Sequence, residues 1–407
     1  MQGSASKQIF IATTARFLST FGSGLLSFAI GLYVLSASKS ALWFAITQIL
    51  PPLIALLFSR KIGTLIDHTR HKPILIISQS TNVIIASLYL LLFINSASHR
   101  VILFGSLTVI LLNAITNTFT QTTYQASVIQ MVGNHDVQRL NSLEQSGNSI
   151  AQILAPTIGA TLFAVSGITF VLAFRVILSI GVIIFLVLLS FSREQGTNTN
   201  NPETNDGKIN LATILHSPLV AYSVLASVAI NLVVALVSTG LPLLMMHTLS
   251  FSSQQYGYVE TASGFGTFIA GLVLAKTHNF AKPIATSAKA MVLLGSMVAV
   301  FGTVSLLSLQ STISFTTFIV VATIYGFSLS LMEIPMSTYM QTNIPINIQG
   351  QVFSFMFGAS QTAMPLGVII ATMLAQQLGA GLLIAGVLII IYIATVYLQI
   401  GRKIVTA

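Results

Sequence analysis

Ser59 to Pro73 reads S-R-K-I-G-T-L-I-D-H-T-R-H-K-P and joins two long apolar runs. Five charges, Arg60, Lys61, Asp67, Arg70 and Lys72, fall within thirteen residues. Cation-rich turns between membrane helices remain on the cytoplasmic face, so the stretch reads first as a positive anchor. Its order adds more. Gly63-x-Leu65-x-Asp67 followed by Lys72 sets a glycine where two backbones can approach, and a single acid inside a basic cluster. His68 and His71 point to a pH-sensitive stretch.

Working outward, the chain has 407 residues, 54% hydrophobic and only 6% charged, against about 25% charged in soluble domains. It is therefore read as a membrane protein. Segments of roughly 20 apolar residues span a bilayer, and twelve are found: 9 to 35, 41 to 59, 73 to 94, 101 to 131, 142 to 165, 168 to 191, 218 to 247, 256 to 275, 284 to 307, 314 to 342, 351 to 375 and 378 to 400. The first is too long for a secretory signal core and is taken as a retained helix. There is no cysteine, which excludes disulfides and thiolate metal sites. The net charge of +9 sits in loops that face anionic lipid, so nucleic acid is not expected as a partner.

Between the sixth and seventh segments, a stretch rich in Asn, Thr, Glu, Asp and Gly reads as a polar linker. The expected organisation is a six-helix bundle at 1–191, a cytoplasmic linker at 192–217 and a second six-helix bundle at 218–407. With the amino terminus inside, Lys7, Arg60, Lys61, Arg70, Lys72, Arg139, Arg193, Lys208, Lys276, Lys282, Lys289, Arg402 and Lys403 all lie on the inner side. Only Lys39 and Arg100 lie in outer loops. Both termini are expected in the cytoplasm of a multi-pass cell-membrane protein.

Gly63, Leu65, Asp67 and Lys72 match the pattern Gly-x-Leu-x-Asp-Arg-x-Gly-Arg-Lys, and the stretch resembles the loop between helices two and three of the major facilitator superfamily. His68, Arg70 and His71 replace the family's arginine, glycine and arginine. The halves echo each other: Lys72-Pro73-Ile74 recurs as Lys282-Pro283-Ile284, 210 residues later, without an acid equivalent to Asp67. Tyr124 and Tyr339 recur near the ends of segments four and ten. On segment five, Gly147, Ala151, Ala155 and Gly159 form one small-residue face. Ala155-Pro156-x-x-Gly159-Ala160 resembles the helix-five motif of the superfamily's exporters, with alanines for several glycines. Ordinary small-residue packing with one proline kink is the other reading of this face. With Ser127-Val128-Ile129 and Arg139-x-Asn141-Ser142, the chain looks most like the drug and macrolide-efflux or siderophore-export branch. The resemblance implies an all-α membrane protein of twelve helices in two pseudo-symmetric six-helix bundles, with a substrate site near the midplane between them. It also implies a conformational gate built from Gly63, Asp67, Arg70, Lys72, Ala155, Pro156 and Gly159. Asp67 is expected against the amino terminus of segment eleven near Ile348 to Gln351, where free amides favour an anion. The segment-five face is expected to seam with Gly257, Gly264 and Gly271 of segment eight, and a row from Ala359 to Ala375 on segment eleven with segment two.

Segment four carries Asn113, Asn117, Thr120, Gln121 and Tyr124 at helical spacing, a polar stripe too costly to face lipid. Helix-to-helix hydrogen bonding accounts for such residues as well. Because the family places helices one, four, seven and ten around its cavity, substrate contact is expected at Arg16, Asn113, Asn117, Gln121, Tyr124, Asn231, Tyr325 and Tyr339. Among ionisable groups inside helices, Glu333 and then Glu260 are the expected proton carriers, since a lone carboxylate there is expensive to keep ionised. Pairing of Glu333 with Arg16 is the alternative. Arg175 reads as a snorkelling side chain.

The sequence has no phosphate loop, HExxH, Gly-x-Ser-x-Gly elbow or metal-spaced His cluster, so it is not read as an enzyme. The expected function is a monomeric secondary transporter, a proton-coupled antiporter exporting an amphiphilic drug-like compound or secreted metabolite. The proton gradient supplies the energy and no cofactor is needed. Import of a small solute, or a channel, are the alternatives.

Overall fold

The computed structural model describes residues 2–38, 41–95, 99–191, 217–307, 309–402 and 404. The polar linker, apart from Ser217, lies outside the described residues. No strand occurs among the described residues. Four helices come first: α1 (Gln2–Ser38), α2 (Ala41–Asp67), α3 (His71–Asn95) and α4 (His99–Val132). Gly133 follows α4 with φ 73°, and its N–H closes onto Ile129 O at 2.8 Å, a left-handed helix stop that glycine adopts without a Cβ penalty. The helical run Val137–Leu188 is broken at Gly167, where φ 71° and ψ 177° are not helical. It comprises α5 (137–166) and α6 (168–188), the break falling between segments five and six of the sequence reading. The later helices are α7 (Pro218–Leu243), α8 (Ser253–Leu274), α9 (Pro283–Leu306), α10 (Ser311–Asn343), α11 (Gln349–Met373) and α12 (Leu378–Val396). Eight stretches among the described residues, the α5–α6 pair counted as one, are long and apolar enough to cross a bilayer. With no water to satisfy backbone groups inside lipid, helices that bond their own amides are the expected form for such stretches.

The chain packs as two compact units. Unit 1 is Met1–Leu140, Ile150–Lys208 and Ile344–Gly358, and unit 2 is Asn141–Ser149, Ile209–Asn343 and Ala359–Ala407. Residues 141–149 of α5 thus belong to unit 2, and residues 349–358 of α11 to unit 1. Unit 1 has one core of Leu26, Ile30, Val34, Tyr89, Val109, Ile110, Ile168 and Leu172. Its second core holds Phe21, Leu25, Ala29, Ala151, Ala155 and Val171. In unit 2, Phe301 packs on Phe318 with ring centroids 5.4 Å apart, and Phe318 meets Phe251 edge to face at 6.3 Å. Such pairs fill the space between helices with rigid apolar area.

Within each unit the small-residue faces also pack on helices that the sequence reading did not name. Ala155 and Gly159 face α1: a Cβ built on Gly24 would lie 3.1 Å from Ala155 Cβ, and one on Gly159 would lie 3.6 Å from Leu25 O. Within unit 1, Ala155 and Gly159 therefore pack on α1. Likewise Gly367 of α11 packs on α7, where its Cβ would come 2.8 Å from Ala235 Cβ and 3.0 Å from Leu236 N. The physical reason is that a small face specifies close approach and not a partner. α8 keeps two other tight contacts. Gly266 lies on Thr323 of α10, and Gly271 on the first turns of α5, with a Cβ at Gly271 falling 2.6 Å from Ser142 O.

Candidate functional site

At the loop end of α2, beyond the apolar run 41 to 59, Asp67 meets the start of α11. Gly350 N–H donates to Asp67 Oδ1 at 2.6 Å and Gln351 N–H donates to Asp67 Oδ2 at 3.0 Å. The first amides of a helix have no intrahelical partner and the helix dipole favours a negative charge there. Gly63 makes the approach feasible, since a Cβ at this position would lie 2.7 Å from Gln351 Cα and 2.8 Å from Gly350 O. Burial pushes the Asp67 carboxyl up to about 6, against the bonds from Gln351 and Gly350 and the charge of His68, which lower it. The other basic residues of this turn separate. Lys72 Nζ donates to Val187 O and Leu189 O, both at 2.8 Å, and so caps the carbonyl end of α6. Arg70 is exposed.

A second cluster forms in unit 2 where the first turns of α5 meet α8 and α10. Ser146 Oγ donates to Phe268 O at 3.1 Å. Asn141 Nδ2 donates to Thr338 Oγ1 at 3.0 Å and to Gln341 Oε1 at 2.7 Å. Gln145 Nε2 donates to Glu333 Oε2 at 3.1 Å, and Glu333 is exposed along the side of α10. Glu260, also exposed, accepts from Tyr256 one turn earlier on α8 at 3.2 Å.

A third cluster is buried among α1, α3, α4 and α6 of unit 1. Arg16 Nη2 donates to Gln121 Oε1, and the guanidinium carbon lies 5.2 Å from the centre of the Tyr124 ring. The ring quadrupole attracts the cation. Gln79 Nε2 donates to Ser19 Oγ at 2.9 Å, and Thr116 Oγ1 to Asn82 Oδ1 at 2.5 Å. Arg175 departs from the sequence reading. It does not snorkel: its side chain is 0% exposed in the middle of α6, laid against Gly22 of α1, with Nη2 donating to Ser23 Oγ at 3.2 Å.

Of the residues expected to touch substrate, the structure brings together Arg16, Gln121 and Tyr124. Asn113 is buried about two to three turns away on the same helix, and Asn117 is half-buried between. In unit 2 the expected residues are dispersed. Asn231 bonds Ser227 O of its own helix at 2.9 Å. Tyr325 is buried edge-on against Phe301 of α9, ring centroids 6.3 Å apart, and Tyr339 is half-buried near the end of α10. Gln79, Asn82 and Gln145 are polar members that the sequence reading passed over. Gln79 and Asn82 sit three apart in the run Ser78-Gln79-Ser80-Thr81-Asn82, and Asn141 and Gln145 four apart, which are helical same-face spacings.

Residues 12–368 match the family model for the Major Facilitator Superfamily. Macrolide efflux protein A of Streptococcus pyogenes is 25% identical over 380 residues, covering 92% of this chain and 91% of that protein. Among solved structures, a bacterial homologue of the iron transporter ferroportin in its outward-facing state has a TM-score of 0.77 at 14% identity, over 96% of this chain and 99% of that one. The human organic anion transporter MFSD10 (TETRAN) has a TM-score of 0.73 at 13% identity, with the same coverage.

Proposed function

The chain belongs to the Major Facilitator Superfamily, and on that premise we propose that it is a proton-coupled antiporter that exports an amphiphilic drug-like compound or secreted metabolite. Family and fold make it a multi-pass membrane transporter and not an enzyme. The observation that carries the export reading is the similarity to a macrolide efflux protein along 92% of the chain. The structural neighbours share the fold alone, and iron does not carry over from the ferroportin homologue. Among the described residues no three His, Asp or Glu side chains gather as a metal-ligand group.

In this reading the carrier works as a monomer in the cell membrane with both termini inside. The Arg16–Gln121–Tyr124 group contacts substrate in unit 1. The Gly63–Asp67 contact with α11 acts as a latch on the cytoplasmic side, and the Ala155–Pro156–Gly159 face of α5 against α1 is a second moving joint. Glu333, held by Gln145, carries the proton, with Glu260 second, because carboxylates within the helices are scarce and one that alternates between water and lipid exposure exchanges a proton.

The test is transport in inside-out vesicles with an imposed pH gradient, screened over chemically distinct amphiphiles. Glu333→Gln is expected to abolish pH-driven accumulation while substrate binding stays measurable. Normal gradient-driven transport by both Glu333→Gln and Glu260→Gln overturns the coupling. Accumulation in right-side-out vesicles instead makes the protein an importer.

A further inference from the structure

Among the described residues of unit 1, the buried cations Arg16 and Arg175 bond only to uncharged groups. Arg175 is 0% exposed, and both its Nε and Nη1 lack a hydrogen-bond acceptor. Arg16 is buried and its Nε also lacks an acceptor. The only acids among residues 1–191 are Asp67, Asp136 and Glu144. Asp67 is engaged at Gly350 and Gln351, Asp136 precedes α5 as its N-cap, and Glu144 belongs to the opening turns of α5 that pack in unit 2. A buried guanidinium with unmet donors is among the most expensive groups a membrane helix can carry.

The two arginines share one seam. Arg16, Ser19 and Ser23 recur along one side of α1, and Arg16 to Ser23 is a rise of about 10 Å. Facing them on α6 are Arg175, hydrogen-bonded to Ser23, and Val182 and Leu186, two turns or more along the same side. Beside Arg16 the packing leaves a mainly apolar void, lined by Ala15, Leu75, Val182 and Leu186 as well as by Ser19 and Gln79, with room for about one water-sized group. Gln79 is 1% exposed and its Oε1 is also unmatched.

We propose that the α1–α6 seam of unit 1 is an anion-receiving site whose cationic poles are Arg16 and Arg175, with the Ser19 and Ser23 hydroxyls supplying neutral donors. The ligand chemistry is a compact anionic group, either a halide ion or the carboxylate of an acidic amphiphile. A guanidinium beside uncharged donors in a low-dielectric site favours such a group and disfavours a cation. The void beside Arg16 is the receiving position, and Arg175, fully buried against Gly22, adds its charge to the seam. The amphiphile version rests on the proposed carrier function, and the halide version does not.

The test uses the full-length protein in lipid nanodiscs, following its thermal unfolding midpoint. Chloride is titrated at constant ionic strength set with the bulky sulfonate HEPES, and separately cholate is compared with its uncharged methyl ester. The expected result is a saturable rise in midpoint with chloride, or with cholate and not its ester. Half-saturation should move up about tenfold or more in Arg16→Gln and in Arg175→Gln, the loss of a charged hydrogen bond. Arg175→Lys should keep part of the effect. Response to chloride assigns an inorganic ion, and response to cholate alone assigns an acidic amphiphile. No saturable response in the unsubstituted protein overturns the proposal, as does an ester that equals cholate while chloride is silent. Because these comparisons use the unsubstituted chain, a variant that fails to fold does not block them. Transport of uncharged or cationic amphiphiles with no anion response removes this site and leaves the exporter reading standing.

Discussion

Gly63 of α2 and Gly271 of α8 lie 208 positions apart, and so do the residues they pack against, Ser142 of α5 and Gly350 of α11. In each case a glycine near the loop end of one helix lets the opening turns of another come to backbone contact. The two contacts nevertheless differ in charge. At α2 the acid Asp67 holds two amides of α11, while the corresponding residue of α8 is Ala275. The difference follows from where the receiving helix begins. α11 starts at Gln349, so the amides of Gly350 and Gln351 are in its first turn and need an outside acceptor. α5 starts at Val137, more than a turn before Ser142, so its equivalent amides are already bonded within the helix. The repeat conserves the close approach, and the acid is present where free donors exist.

The largest way to break this comparison is to fill both glycines. Gly63→Leu and Gly271→Leu each drive a side chain into backbone atoms that cannot move aside, and overpacking costs about 1–3 kcal/mol even where side chains can adjust. Both variants should lower the unfolding midpoint clearly and transport about tenfold or more. Gly257→Leu, on the same row of α8 but with nothing within 4 Å of its Cβ, should stay near the starting protein. Equal losses at Gly257 and Gly271 would mean that the row acts as one continuous seam after all.

The next largest effect should separate the two contacts. Asp67→Ala leaves the Gly350 and Gln351 amides without an acceptor, a cost of about 1–3 kcal/mol, so hydrogen exchange at these two amides should quicken. Ala275→Asp should change stability by no more than about 0.5 kcal/mol, since no free amide awaits it. Stabilisation by Ala275→Asp comparable to the loss in Asp67→Ala would refute the helix-start explanation.

The asymmetry also shows what the sequence exposed and what it hid. The turn Ser59 to Pro73 showed a glycine for close approach and an acid suited to free helix amides, and the resemblance to the superfamily loop pointed to segment eleven as the helix they meet. The α5–α6 break was equally legible, since it rests on one glycine between two apolar runs. The partner of the Ala155 face was not, because small residues say how near a helix lies and nothing about which helix. Arg175 was hidden for a related reason. Whether an arginine reaches a headgroup or stays inside depends on what stands opposite, here the bare Gly22 of another helix. Gln79 and Asn82 were visible at helical spacing but lie on a helix that the family resemblance did not place at the cavity.

The smallest expected effect, and the finest probe of the difference, is the pH dependence of the Asp67 contact. Burial raises this carboxyl to about 6 from 3.8, so the closed contact binds a proton more tightly than an Asp67 opened to water. For an acid shifted upward, the contact gains from protonation: it is strongest below the open-state value, weakens as pH rises through about 6, and is flat above. His68 opposes this by favouring the carboxylate, and His68→Gln should therefore push the midpoint up. The measurement is the opening free energy from hydrogen exchange at Gly350 and Gln351, corrected for the intrinsic pH dependence of exchange, across pH 4 to about 7.5. Asp67→Asn, which accepts hydrogen bonds but does not titrate, should give a flat line. Protection that instead grows with pH in this window would show that the two amide bonds to the ionised form outweigh its burial, and that the contact tightens on losing its proton.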